Sequence, residues 1–187
     1  LPKLCNLALR HLPKVSLEIM IGTSYFLKEQ IREERLDMIV GVIENDSEFA
    51  CRGFIDDTVV VAAREHHPIF ELRAPRLRDL EGYHWILPTP PVSSRKWLDS
   101  AFAARGLPKP TPHIETNSLP SIHDLIGSTD LLCFLSRLTL EHPKTRGMLR
   151  EVPMKETTMT RQLGITYPHG PLTPATQRLI DLLDRLA

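Results

Sequence analysis

The sequence predicts an α/β protein in which a parallel sheet is covered by helices, arranged as one domain or two small lobes. Three observations lead there. Period-two alternation from Val15 to Ile21 gives way, after Gly22-Thr23-Ser24, to the four-residue spacing of Leu27 and Ile31 that marks one helical stripe. The next apolar run, LDMIVGVI from Leu36, is continuous, as in a strand buried on both faces. The unit of strand, hydroxyl-bearing turn and helix then recurs at WILPTPPVSSRKWL and at HIETNSLPSIHDLI. Strand, helix, strand in that order favours parallel pairing over an antiparallel meander.

In chain order, LPKLCNLALRHLP sets Leu4, Leu7, Ala8 and either His11 or Leu12 at helical spacing, and Pro13 ends that helix. A strand over Val15 to Ile21 follows, then the helix after Ser24, with Thr23 or Ser24 placed to accept a bond from a first-turn amide. After LDMIVGVI, GFIDDTVVVAAREHHP gives a strand ending near Arg64, and a polar stretch holding Pro68 and Pro75 opens a second lobe. HWILP is a short buried strand. SSRKWLDSAFAARG is a helix, with Trp97 and Ala101 four apart, Leu98 and Phe102 likewise, and Gly106 as its stop. HIETNS is a strand, LPSIHDLIGS a helix with Ile122, Leu125 and Ile126 on one face, and DLLCFLS another buried strand. Past the loop around Pro143, LREVPM and RQLGITY are strand candidates. In PLTPATQRLIDLLDRLA, Thr173 caps a last helix, Pro174 fits its first position, and Leu179, Leu182, Leu183 and Leu186 form its stripe.

Bulk composition narrows function by exclusion. Lys plus Arg number 23 and Asp plus Glu number 23, so the chain lacks the positive field that non-specific DNA affinity needs. If the protein works on DNA, another segment does the binding. Cys5, Cys51 and Cys133 are odd in number and far apart, which suggests neither a disulfide framework nor a zinc site and fits a reducing cytoplasm. No apolar run approaches the ~20 residues of a membrane span, and the first residues do not read as a signal peptide. The missing initiator Met suggests a piece of something longer.

The three turns carry the binding chemistry. In a parallel sheet they lie at the carboxyl ends of strands, where helix N-termini offer unpaired amides and a positive dipole end to an anion. Converging ends make a carboxylate pocket; a single turn of this kind is equally an ordinary cap. Arg64, at a strand end near the lobe junction, and Arg161, where a later strand begins, could each meet an anion, or be structurally paired. Catalysis has no carrier. His66, His67, His84, His113, His123 and His142 lack the i, i+4 spacing of a helical metal site and read as surface or loop residues. Ser121, His123 and Asp124, one and two apart on a helix, cannot align as a triad. Asp56 and Asp57 read as an exposed start to a strand, and GTSYF lacks the second glycine of a nucleophile elbow. No catalytic residue, metal or cofactor is expected.

The order of LP before a helix, P-x-V-x-L-x-I, GTS, LDMIVG, FIDDTVVVAA, HP, WILP, ETNS and PLTPATQRL resembles the effector-binding domain of LysR-type bacterial transcriptional regulators, over essentially all 187 residues. The resemblance implies two Rossmann-like α/β lobes of periplasmic-binding-protein type II fold, joined by two crossing strands. Lobe I is then residues 1–64 plus 162–187 and lobe II residues 65–161. It implies a small effector held by Gly22, Thr23 and Ser24 on one lobe and by Pro88, Thr89, Thr116, Asn117 and Ser118 on the other. It implies self-association as dimer or tetramer, with Pro2 to Leu12 and Lys96 to Arg105 as candidate faces that could equally pack within the domain. An N-terminal winged helix-turn-helix, absent from this chain, would contact operator DNA. Where the family has a glycine before Leu-Asp, this chain has Arg35. The expected function is therefore sensing of a small anionic metabolite. A transporter's solute-binding protein of the same fold is the alternative, and an upstream signal peptide would distinguish it.

Overall fold

The structure, a computed structural model, describes residues 2–44 and 46–184. Helix α1 (Pro2–His11) buries Leu4 and Ala8, at the expected spacing, and Leu12 closes it just before Pro13. Thr23 then caps α2 (Ser24–Arg32), its Oγ1 accepting from Phe26 N at 3.4 Å. Strand β1 (Ile39–Val42) follows, and β2 (Phe49–Arg64) runs unbroken through the Asp56-Asp57 pair. Next come β3 (His84–Leu87), α3 (Ser93–Ala103), β4 (Pro112–Glu115), α4 (Leu119–Gly127) and β5 (Leu131–Ser136), all as the apolar spacing predicts. Gly106, at φ +68°, ends the turn after α3 in a conformation that favours glycine. The loop expected around Pro143 opens with a short helix, α5 (Arg137–Leu140), before β6 (Leu149–Glu151) and β7 (Met159–Pro168). Helix α6 (Pro174–Asp184) starts as predicted, Thr176 N donating to Thr173 Oγ1 at 3.1 Å.

Two compact units divide the chain, residues up to Asp56 with those from Arg161 onward, and Asp57–Thr160. The division falls inside β2, eight residues before the Arg64 boundary read from the sequence, because β2 continues as one strand from the first unit into the second.

In unit 1, β1 pairs antiparallel with β7, Ile39 opposite Thr166 and Val42 opposite Leu163. Leu4 and Leu12 of the first helical segment pack with Ile165, Ile180, Leu182 and Leu183, so α1 and α6 share one core. Leu186, the last member of the predicted stripe, lies outside the described residues. A second cluster, Ile31, Ile39 and Phe49, seats α2. Lys28 bridges Glu44 at 2.9 Å and Asp46 at 3.0 Å, and Arg32 meets Glu48 at 2.6 Å, tying α2 to the loop before β2. The expected strand at Val15 to Ile21 does not form: Leu17 is half-buried, but Ile19 and Ile21 are 52% and 87% exposed. Alternation places side chains on one face; it does not by itself supply the ladder of hydrogen bonds to a neighbouring strand, and β1 is paired on its β7 side alone.

In unit 2, β3 lies between β4 and β5, parallel to both. Strand β5 pairs antiparallel with β2, Val59 opposite Ser136, and β2 pairs antiparallel with β6. The parallel sheet read from the sequence is thus confined to β4-β3-β5, and the sheet as a whole is mixed. The run TVVVAA is buried on both faces: Val59, Val61 and Ala63 pack with Trp85, Leu98 and Phe102, while Val60 and Ala62 pack with Ile86, Ile122 and Ile126. Two residues read as exposed are buried here. Asp57, 2% exposed, accepts a 2.5 Å hydrogen bond from Ser136 Oγ, and His67, 1% exposed, sits under Tyr83. In both cases a tertiary hydrogen bond outweighs local polarity.

Candidate functional site

The sequence-predicted site residues fall into two groups, one in each unit. In unit 1, Gly22 and Thr23 lead into α2. A Cβ at Gly22 would lie 2.5 Å from Phe26 Cδ1, so the ring of the first helical turn covers the glycine. Thr23 is committed to its cap, and Ser24, half-buried, is the first helical residue. This is the one turn of the three in which a hydroxyl caps the helix. Arg161 is half-buried at the start of the unit 1 part of β7.

In unit 2 the two predicted turns come together. Pro88-Thr89 follows the carboxyl end of β3 and Thr116 to Ser118 follow that of β4, side by side because the strands are parallel neighbours. Thr89 N donates to Asn117 Oδ1 at 3.2 Å, and Asn117 Nδ2 donates to Thr89 Oγ1 at 2.9 Å. Thr116 N donates to Leu87 O at 3.1 Å, and Ser118 N donates to Thr116 Oγ1 at 3.1 Å. The helices that begin here carry no side-chain caps: the residue before α3 is Val92, and Ser118 makes no cap bond to α4. Ser93 and Ser94 belong to α3 itself, and Ser94 is buried.

Beneath this pair of turns lies Arg95, which the sequence reading missed. It is 7% exposed, and its guanidinium donates to Pro88 O at 3.3 Å and Pro110 O at 3.5 Å while meeting Asp99 at 3.0 Å and Glu115 at 3.3 Å. A buried cation is tolerable only when paired and hydrogen-bonded, and here both conditions hold. The signal was available: Arg95 stands three and seven residues before Leu98 and Phe102, on the face α3 buries.

Arg64 does not join these turns. It donates to Asp130 Oδ1 at 2.7 Å, just before β5, at the end of the unit 2 sheet opposite the carboxyl ends of β3 and β4. His67 shares that end, with Ile69 N donating to its Nδ1 at 3.0 Å and its Nε2 3.2 Å from Asp130 O. Burial holds the His67 imidazole below its ordinary pKa, against the opposing pull of Asp130.

Unit 1 also carries an open pocket of about 540 Å³ lined by α1, residues 15–22, residues 35–40 and the start of α6. Gly22 is the predicted site residue that lines it. Three of its polar residues bond to one another, Thr176 Oγ1 donating to Asp37 Oδ1 at 3.2 Å and standing 2.7 Å from Thr173 Oγ1. Among the described residues no group of three or more histidines, cysteines or carboxylates is placed to hold a metal, and no helix is long and apolar enough to cross a membrane.

The family model described as the LysR substrate binding domain matches residues 1–187. The HTH-type transcriptional regulator GalR of Pseudomonas putida is 28% identical over 158 residues, which are 82% of this chain and 40% of that regulator. The chain thus spans less than half of that relative. The regulatory domain of CcmR from Synechocystis PCC6803, in complex with 2-PG, has a TM-score of 0.86 at 18% identity, covering 99% of this chain and 89% of that one. The effector binding domain of QuiR, in complex with shikimate, has a TM-score of 0.80 at 15% identity, covering 99% and 88%.

Proposed function

This chain belongs to the LysR substrate-binding-domain family, of periplasmic-binding-protein type II fold, and from that premise we propose that it senses a small anionic metabolite on behalf of a transcriptional regulator. The observation that carries the reading is the Thr89-Asn117 clasp, which sets two polar turns side by side at the carboxyl ends of parallel strands. The effector-contacting residues we assign are Thr23 and Ser24 in unit 1 and Pro88, Thr89, Thr116, Asn117 and Ser118 in unit 2. A ligand for QuiR, shikimate, is a carboxylate, which supports an anion here. The balance of 23 basic and 23 acidic residues supports a division of labour in which operator DNA is bound by a segment beyond these residues. We assign the chain no turnover, and place the regulator in the cytoplasm as a self-associating protein. The effector acts by its differential affinity for the conformations it selects.

Thermal unfolding against a panel of small organic acids tests this. An effector at a hundred times its Kd stabilises by about 2.7 kcal/mol, which for this chain length raises Tm by about 5–10 °C. Asn117→Ala is expected to abolish the shift. A panel in which only sugars or amines raise Tm overturns the anionic assignment, and an acid that stabilises Asn117→Ala as well as the parent overturns the site.

A further inference from the structure

His84 and His113 are 29 positions apart in sequence, yet their rings meet with centroids 3.8 Å apart, tilted at an interplanar angle of 47°. Both are exposed, and among the described residues no hydrogen bond engages either ring. His67 is the contrast, with both nitrogens occupied. The local backbone explains the encounter. Strands β3 and β4 are adjacent and parallel, with Trp85 opposite Pro112 but Ile86 opposite Ile114, so His113 is the extra residue of a bulge. A regular ladder would set His113 beside Ile86, whose side chain packs with Ile122 and Ile126; bulges of this kind re-aim a side chain.

We propose that His84 and His113 form a two-histidine binding site for a late first-row divalent ion, Zn²⁺, Ni²⁺ or Cu²⁺. Imidazole nitrogen suits these ions, whereas Mg²⁺ and Ca²⁺ demand oxygen ligands. With no third histidine, cysteine or carboxylate in a metal-holding group among the described residues, water completes the coordination, so binding is weaker than in a closed structural site. The pair lies at the start of β3 and β4, away from the Pro88 and Thr116 turns at their carboxyl ends. The inference is therefore independent of the effector assignment.

Titration calorimetry of the untagged chain with NiCl₂ in a non-chelating buffer is expected to give one-to-one binding in the micromolar range. His84→Ala and His113→Ala are each expected to weaken it by about tenfold or more, His66→Ala to leave it unchanged, and MgCl₂ to give no isotherm. Absence of nickel binding, or affinity lost with one of the two substitutions alone, overturns the chelate. A measurement on the unsubstituted protein stands beside these: substoichiometric Ni²⁺ is expected to broaden the ring proton resonances of His84 and His113 before those of other histidines. Broadening that begins elsewhere refutes the site whatever the variants do.

Discussion

His67 shows how much a single side chain can carry. Its Nδ1 accepts from the backbone, so the proton resides on Nε2 and is donated to Asp130 O, and the neutral ring is the form the fold binds. Burial depresses its pKa, and burial acts first on His123 too, whose Nε2 is buried without a partner. The unfolded chain therefore takes up protons that the folded chain refuses. Stability is full above the unfolded value of about 6.5 and is lost as pH falls below it, each unit of depression being worth about 1.4 kcal/mol. Tm measured from pH 7.5 to 5 is expected to fall less steeply in His67→Gln, which at neutral pH is itself destabilised by about 1–3 kcal/mol. Parallel profiles would acquit His67. None of this was legible in HHP, where His66 and His67 look alike; only the fold sends one outward and the other under Tyr83. Asp57 escaped for the same reason, and Arg95 did not have to, since its helical phase with Leu98 and Phe102 marked it.

Elements were read well wherever local pattern and tertiary partner agree. Among the described residues the helices bury the centre of the stripe their spacing announced: Leu4 and Ala8 in α1, Ile31 in α2, Leu98 and Phe102 in α3, Ile122 and Ile126 in α4, Leu182 and Leu183 in α6. The three hydroxyl turns read alike, yet only Thr23 caps by its side chain, because α3 begins one residue after Val92 and the Thr116-Asn117 side chains bond to neighbouring strands and turns. The stretch from Val15 to Ile21 shows the limit of periodicity, which reports a shared face and says nothing of a ladder. One interstrand contact is predictive. A Cβ at Gly164 of β7 would overlap the Arg52 carbonyl of β2, backbone that cannot swing aside. Gly164→Ala is expected to lower stability by about 1–3 kcal/mol, seen as an earlier urea midpoint. A midpoint within error of the parent would show that the strands have slack there.

For the whole molecule, order along the chain proved more informative than any single motif. The succession from GTS through WILP and ETNS to PLTPATQRL pointed to the LysR family, and the family model spans every residue. Equal numbers of acidic and basic residues leave the chain without a net positive charge, the one statement about partners that composition makes. The position of Ile21 and its neighbours, by contrast, needed the structure. The nested chain path, in which unit 2 interrupts unit 1 between Asp56 and Arg161, has a consequence for biosynthesis. A ribosome finishes unit 2 first. At 5–20 residues per second, the roughly 100 residues between the two halves of unit 1 take about 5–20 s to emerge. Throughout that interval α1 lacks α6, and Leu4 and Leu12 have no Ile180 or Leu183 to cover them. Ribosome-bound chains truncated at Thr160 and joined to an unrelated linker long enough to fill the exit tunnel are expected to protect unit 2 from protease while residues 2–56 are cut. Equal protection of both segments would mean that the first half holds its shape without the second. Otherwise the nascent N-terminal segment waits with Leu4 and Leu12 uncovered until α6 has emerged.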